Sequence, residues 1–255
     1  MAKCATYGLI GRTLGHSFSQ AYFTEKFARE GIDARYLNFE LPCIGTLPDI
    51  IAAHPGLRGF NVTIPYKQDI IPMLDTVDTA AAAIGAVNTV RVEPDGSLSG
   101  FNTDAPGFAA SLRGLLGDAA VPPRGLVLGT GGASLAVVAA MRGMGCEPVC
   151  VSRTPQSGQL GYGDVTADVI KACGVIVNAT PLGTWPRVDE APALPYDALA
   201  PGHFCMDLVY NPDPTLFMRL CAARGAAVRS GLDMLHRQAE GSWRIWNNND
   251  NNINE

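Results

Sequence analysis

The chain has 255 residues, 47% of them hydrophobic and 17% charged, with 19 basic against 24 acidic side chains and a formal net charge of −5. That is enough polypeptide for between one and two domains with full apolar cores, and the balance of apolar to charged residues excludes a disordered chain. The acidic balance lacks the electrostatic footprint of a nucleic-acid binder or an anionic-membrane binder, and no apolar run approaches the roughly 18 residues of a membrane span.

Tyr7–Gly11 reads as a buried strand ending in glycine. Ser19–Arg29 has helical spacing, with Tyr22, Phe23, Phe27 and Ala28 near one face. Ala34–Phe39 is a second strand, and Leu47–Ala53 a short helix ended by His54-Pro55-Gly56. A third strand, Gly59–Thr63, stops before Pro65, and Asp78–Ile84 is an alanine-rich helix. Ala86–Val92 and Leu98–Phe101 form a hairpin around the turn Glu93-Pro94-Asp95-Gly96-Ser97.

Leu116–Arg124 reads as a connector, after which the pattern changes. Gly125–Leu128 is a strand, Ser134–Arg142 a helix, and Val149–Ser152, Gly174–Asn178 and Phe204–Leu208 are further strands. This alternation predicts a parallel, doubly wound sheet. The Asn-rich tail from Asn247 to Glu255 has no periodicity and reads as frayed.

The seven cysteines are scattered without CxxC spacing, and the four histidines form no ligand cluster. Buried thiols in a reducing cytoplasm and no metal site are expected. Residues 1–7 have no apolar signal segment, which fits the same cytoplasmic location. There is no G-x-S-x-G, H-E-x-x-H or Walker A pattern, so hydrolase and nucleotide-triphosphatase chemistry has no support.

Gly129-Thr130-Gly131-Gly132-Ala133-Ser134 lies between a strand and a helix. Glycines there let a pyrophosphate approach the free N–H groups of a helix N-terminus. Ser134 stands where the third glycine of a strict G-x-G-x-x-G would be. The next strand ends in Ser152-Arg153-Thr154. An acidic residue there would favour NAD, whereas Arg153 suits a 2′-phosphate and favours NADP; a plain surface arginine is the alternative.

Asn61-Val62-Thr63-Ile64-Pro65-Tyr66-Lys67 places a lysine just past a rigid turn, where it serves either as an acid or base or as an ordinary solvated side chain. Asp104, in Gly100-Phe101-Asn102-Thr103-Asp104, suits a partner for a lysine and equally suits a helix cap. Ser17 and Ser19 precede a helix and suit either a carboxylate or N-capping.

In this order the motifs resemble the shikimate dehydrogenase family, from about Tyr7 to Trp246. The pieces are H-S-x-S at 16–19, N-V-T-I-P-Y-K at 61–67, G-A-V-N-T at 85–89, G-x-N-T-D at 100–104, G-x-G-G-A at 129–133, N-A-T-P-L-G at 178–183 and G-L-x-M-L-x-x-Q at 231–238. The resemblance implies two α/β domains. Residues 1–105 would bind substrate, residues 106–231 would form a Rossmann-type NADP-binding domain, and the active site would lie in the cleft between them. A C-terminal helix, 232–247, would pack back on the first domain, leaving 248–255 as a disordered tail.

The implied reaction is reversible, NADPH-dependent reduction of 3-dehydroshikimate to shikimate. Lys67 and Asp104 would be the catalytic pair. Ser17 and Ser19 would hold the substrate carboxylate, Thr63, Asn88 and Gln238 the ring hydroxyls, and Asn61 and Tyr210 would line the site. Gly129, Thr130, Gly131, Gly132, Ala133 and Ser134 would wrap the pyrophosphate, and Ser152, Arg153 and Thr154 would meet the adenosine phosphate. Thr180, Leu208, Gly231 and Met234 would lie along the cofactor near the nicotinamide.

Three departures from the family pattern stand out. Gln20 replaces the proline that usually follows S-x-S. The phosphate clamp reads Ser152-Arg153-Thr154-Pro155-Gln156-Ser157, one arginine short, and the segment to Val177 is short for this fold. Asp233 replaces a glycine beside the nicotinamide, where a left-handed backbone would disfavour aspartate. A shikimate/quinate dehydrogenase that also accepts NAD is the enzymatic alternative, and a non-catalytic metabolite sensor on the same fold is the alternative of another class. The expected partner is a small-molecule substrate, with the chain a monomer or homodimer.

Overall fold

The computed structural model describes residues 4–15 and 17–247. His16 and the tail 248–255 lie outside the described residues, and with them the tail expectation and one position of the H-S-x-S motif. The chain divides into two compact α/β units, one running to Thr103 and resuming at Ala239, the other spanning Asp104–Gln238.

The first unit is built from β1 (Ala5–Gly11), α1 (Phe18–Glu30), β2 (Ala34–Glu40), α2 (Leu47–Ala53), β3 (Leu57–Val62), β4 (Thr76–Val77), α3 (Thr79–Ile84), β5 (Thr89–Val92) and β6 (Leu98–Phe101). Its mixed sheet runs β2-β1-β3-β5-β6-β4. β1 pairs parallel with both β2 and β3, and the β5–β6 hairpin joins antiparallel to β3. β1 is buried along almost its whole length, which is why it reads as a continuous apolar run rather than an alternating one. α1 begins at the Ser17 N-cap and ends at Gly31, whose φ of 65° closes the last turn. Phe23 and Phe27, one helical turn apart, bury against Tyr7, Tyr36 and the residues Ile245 and Trp246.

The second unit comprises α4 (Asp104–Leu116), β7 (Arg124–Leu128), α5 (Gly132–Gly143), β8 (Glu147–Ser152), β9 (Leu160–Gly161), α6 (Ala167–Ala172), β10 (Val175–Asn178), β11 (Phe204–Asp207), α7 (Leu216–Ala222) and β12 (Ala227–Arg229). α8 (Leu232–Trp246) begins in this unit and ends in the first. The sheet order is β12-β11-β10-β7-β8-β9, and every pairing is parallel. The chain therefore starts at the centre, winds out one way through β8 and β9, and returns to wind the other way from β10. This is the doubly wound Rossmann order, with its switch point between β7 and β10.

Several elements went unassigned in the sequence. α4 carries Pro106, Gly107 and Gly114, which mask its periodicity, yet Phe108, Ser111, Leu112 and Leu116 are buried along one face. Gly107 faces α8 closely: a Cβ there would lie 3.2 Å from the Met234 carbonyl oxygen. α6, α7, β4, β9 and β12 are each seven residues or shorter, too brief for a clear period. The third strand runs 57–62 rather than to Thr63. Cys4 and Cys43 are exposed and Cys150 is half-buried, which corrects the expectation of uniformly buried thiols. Cys4 and Cys43 lie just outside the sheet, before β1 and after β2.

The end of α8 is fixed to the first sheet by Trp246. Its Nε1–H donates to the Val90 carbonyl at 2.9 Å, and its ring stacks on Tyr7 with centroids 4.8 Å apart. Gly59 makes room for that indole: a Cβ at Gly59 would fall 2.3 Å from Trp246 ring atoms. Gly59→Ala should therefore destabilise the protein by about 2 kcal/mol, read as a lowered Tm. An unchanged Tm would mean that the indole is not held against β3.

Candidate functional site

In the first unit, the strand ends and the start of α1 carry the candidate substrate contacts. Ser17 is half-buried at the N-cap of α1, where its Oγ accepts from the Gln20 N–H at 3.3 Å. That leaves the Ser17 hydroxyl proton to donate outward. A proline at position 20 has no N–H and could not make this bond, so Gln20 adds a cap. Ser19 is buried beside it.

Thr63, half-buried, follows β3 and donates its N–H to the Ile10 carbonyl at 2.9 Å. The turn beyond it is pinned twice. The Tyr66 hydroxyl donates to the Leu41 carbonyl at 2.6 Å, and the Lys67 carbonyl accepts from the Val87 N–H at 2.7 Å. Lys67 thus has a fixed backbone and a half-buried side chain. The same bond ties the lysine turn to the G-A-V-N-T segment that carries Asn88.

Asn88 is 2% exposed. Its Oδ1 accepts from the Thr103 N–H at 2.8 Å and its Nδ2 donates to Thr103 Oγ1 at 2.9 Å. Asn61 is 3% exposed and its amide is engaged by protein on both sides. Oδ1 accepts from the Tyr36 hydroxyl at 2.8 Å, and Nδ2 faces Ser242 Oγ at 2.8 Å, Thr89 Oγ1 at 3.2 Å and the Asn88 carbonyl at 3.2 Å. The Asn61 side chain is thus oriented by protein atoms on both sides.

In the second unit, Asp104 is the first residue of α4 and is buried. Gln238, also buried, donates through Nε2 to the Leu235 carbonyl at 3.1 Å. The glycine turn sits between β7 and α5, at the switch point. Gly129 has φ 108°, a conformation that favours glycine. Thr130 and Gly131 are exposed, and Gly132 and Ala133 half-buried, at the N-terminus of a twelve-residue helix. Backbone N–H groups at such a terminus suit a pyrophosphate.

Ser134 is 2% exposed, and its hydroxyl donates to the Gly131 carbonyl at 2.5 Å. At the end of β8, Ser152 is buried and its Oγ accepts from the Thr154 N–H at 3.2 Å. Arg153 and Thr154 are exposed. Free backbone N–H groups, a glycine at positive φ and an exposed guanidinium at the neighbouring strand end together fit a phosphorylated dinucleotide. α6, beyond them, has only six residues.

The loops after β10 and β11 are organised by side chains that the sequence reading passed over. Asp207 is fully buried at the end of β11. Its carboxylate accepts from Thr215 Oγ1 at 2.6 Å, the Val209 N–H at 2.9 Å and Asn178 Nδ2 at 2.9 Å. Asn178 Oδ1 in turn accepts from the Thr180 hydroxyl at 2.6 Å and the Thr180 N–H at 3.1 Å. Thr180 and Leu208 are thereby fixed on adjoining loops, with half-buried Tyr210 just beyond and its hydroxyl pKa raised by burial. The Gly231 N–H donates to the Val209 carbonyl at 3.3 Å, which brings the start of α8 and the buried Met234 to the same side of this unit.

Asp233 lies in the first turn of α8, so it adopts helical backbone and the left-handed conformation feared for it does not arise. It accepts from Arg237 Nε at 2.9 Å and from an Arg229 guanidinium nitrogen at 3.3 Å. Partial burial raises its carboxyl pKa, but the Arg237 hydrogen bond and the two guanidinium charges outweigh that and hold it low. Its charge is balanced locally. Among the described residues there is no group of three or more His, Cys, Asp or Glu side chains able to hold a metal, and no helix long and apolar enough to cross a membrane.

Comparison with known proteins bears on the whole chain. Residues 9–90 match the family model described as the shikimate dehydrogenase substrate binding domain. A shikimate dehydrogenase (NADP(+)) from Moorella thermoacetica is 39% identical over 271 aligned positions, covering 96% of this chain and 88% of the relative. The crystal structure of shikimate 5-dehydrogenase from Thermus thermophilus in complex with NADP(H) and shikimate superimposes with a TM-score of 0.84 at 34% identity, covering 96% of this chain and 94% of that one. A quinate dehydrogenase from Corynebacterium glutamicum in complex with NAD superimposes with a TM-score of 0.85 at 27% identity, covering 96% and 94%.

Asp207 gives this loop system a pH signature. Burial raises its carboxyl pKa from 3.8 to about 6, against the lowering effect of its three hydrogen bonds. The fold thus favours the protonated form, and the stability it gains from that form is lost as pH climbs from about 4 through about 6. Asp207→Asn cannot ionise. The Tm of the unaltered protein minus that of the variant should shrink as pH rises from 5 to 7.5. A difference independent of pH would place the titration outside that window.

Proposed function

The chain belongs to the shikimate dehydrogenase family, and from that premise we propose how its residues divide the work. The protein interconverts shikimate and 3-dehydroshikimate with NADP(H). Ser17 donates its free hydroxyl proton to the substrate carboxylate with Ser19 beside it, and Thr63, Asn88 and Gln238 hold the ring hydroxyls. Tyr210 also binds substrate. A polyhydroxylated ring offers little apolar surface, so discrimination comes from buried polar groups that a wrong ligand would leave unpaired.

Bound NADP supplies the hydride acceptor. The N–H groups at the start of α5, with Gly129, Thr130, Gly131, Gly132 and Ala133, hold its pyrophosphate. Arg153 and Thr154 meet the 2′-phosphate, while Thr180, Leu208, Gly231 and Met234 bound the nicotinamide end. As the carbinol carbon loses hydride, Lys67 takes the hydroxyl proton and the Asp104 carboxylate steadies the resulting ammonium. In the reverse direction Lys67 returns that proton to the carbonyl oxygen. The observation that carries this reading is the pinned lysine turn, whose backbone bond to Val87 couples the proton-transfer residue to the Asn88 segment.

One guanidinium at the phosphate end, with Pro155, Gln156 and Ser157 after Thr154, supports a second reading in which NAD and quinate are also accepted. Arg153→Ala separates the two. Under NADP preference it should raise KM for NADP about tenfold, roughly 1.4 kcal/mol, and leave KM for NAD within twofold. An unchanged ratio would remove Arg153 from the cofactor site. Lys67→Ala should lower kcat by about 10²–10⁴ with NADP affinity nearly intact. Equal loss of both would make the lysine structural.

A further inference from the structure

Asn88, assigned above to the substrate ring, is held by a chain of buried side chains that reaches across the sheet to Tyr36. Tyr36 lies on β2, 3% exposed, with its ring stacked on Phe23 at a centroid separation of 4.7 Å. Its hydroxyl proton goes to Asn61 Oδ1 at 2.8 Å. Beyond Asn61 the chain passes to Ser242 Oγ, which lies 2.8 Å from Thr89 Oγ1 and 3.3 Å from Thr103 Oγ1. Thr89 donates to Asn88 Oδ1 at 3.1 Å, and Thr103 holds both ends of the same amide.

The direction of the Asn61 amide is forced. The Asn88 carbonyl can only accept, so Nδ2 must face it and Oδ1 must face Tyr36. Tyr36 is therefore the donor to Asn61. Ser242 is fully buried and comes from α8, far along the chain from the strands it bridges. Without the Tyr36 hydroxyl, Asn61 Oδ1 loses the donor it accepts from, and without Ser242 Oγ the Asn61 amide, Thr89 and Thr103 each lose one bond of the chain.

We propose that Tyr36 and Ser242 are positioning residues for substrate: without touching it, they set the position and orientation of Asn88. The proposal rests on the assignment of Asn88 to shikimate. It predicts a defect confined to one ligand. Because the chain of bonds lies wholly in the first unit, the cofactor contacts of the second unit have no part in it.

The test is steady-state kinetics of Tyr36→Phe and Ser242→Ala with shikimate and NADP, alongside Glu240→Gln. The last variant weakens the clamp that Glu240 on α8 makes with Lys26 at 2.9 Å and with Tyr22, and leaves the Asn61 chain whole. Tyr36→Phe and Ser242→Ala should each raise KM for shikimate about tenfold, about 1.4 kcal/mol, with KM for NADP within twofold and kcat within threefold. Glu240→Gln should lower Tm and leave KM for shikimate unchanged.

KM for shikimate within twofold in both variants, or a rise no larger than in Glu240→Gln at matched Tm, overturns the positioning role. Tyr36→Phe keeps the ring on Phe23 and decides the matter alone if Ser242→Ala does not fold. Failure of the unaltered protein to reduce NADP with shikimate overturns the functional assignment instead.

Discussion

A buried amide that cannot be turned round organises the first unit. Asn61 has its Nδ2 against a backbone carbonyl that only accepts, so each neighbouring hydroxyl must adopt the matching role. Unpaired polar groups in such a place cost about 1–3 kcal/mol each, a large part of the marginal stability of a domain. β2, β5 and the last turns of α8 therefore meet around Asn61 in one arrangement. Tyr36 also stacks on Phe23 of α1, but ring packing is less directional than the hydrogen bonds.

The second unit solves a comparable problem with a carboxylate. Asp207 ends one central strand and Asn178 ends its neighbour, and between them they absorb the backbone and hydroxyl donors of two loops. These loops leave the sheet at its carboxyl edge, beside the glycine turn at the switch point. That is where doubly wound sheets bind their ligands. Burial drives the Asp207 pKa up because three hydrogen bonds only partly replace lost water. The loops that present Thr180 and Leu208 are thus held by a group whose charge changes near neutral pH.

Much of this architecture was legible in the sequence. Continuous apolar runs marked the parallel strands, the glycine turn marked the start of α5, and the spacing of Phe23 and Phe27 marked α1. The lysine turn and the Asn88 segment were legible as motifs, and their mutual hydrogen bond explains why they occur together. α4 was not legible because Pro106, Gly107 and Gly114 interrupt its propensity while close packing on α8 compensates. Tyr36, Ser242, Asp207 and Thr215 were missed for a different reason. Tyr36, Ser242 and Asp207 act through partners distant in sequence, and Thr215 shows locally only as a helix cap. Asp233 takes helical backbone in the first turn of α8, so the left-handed conformation expected there does not arise, and Arg229 and Arg237 balance its charge.

The central claim is that this protein transfers hydride between shikimate and NADP. The direct measurement is the rise of absorbance in the reduced-nicotinamide band on mixing purified protein with shikimate or quinate, each with NADP or NAD. The account predicts rapid reduction with shikimate and NADP, well above every other pairing. A folded protein that gives no reduction in any combination, while still binding shikimate in a calorimeter, would contradict it.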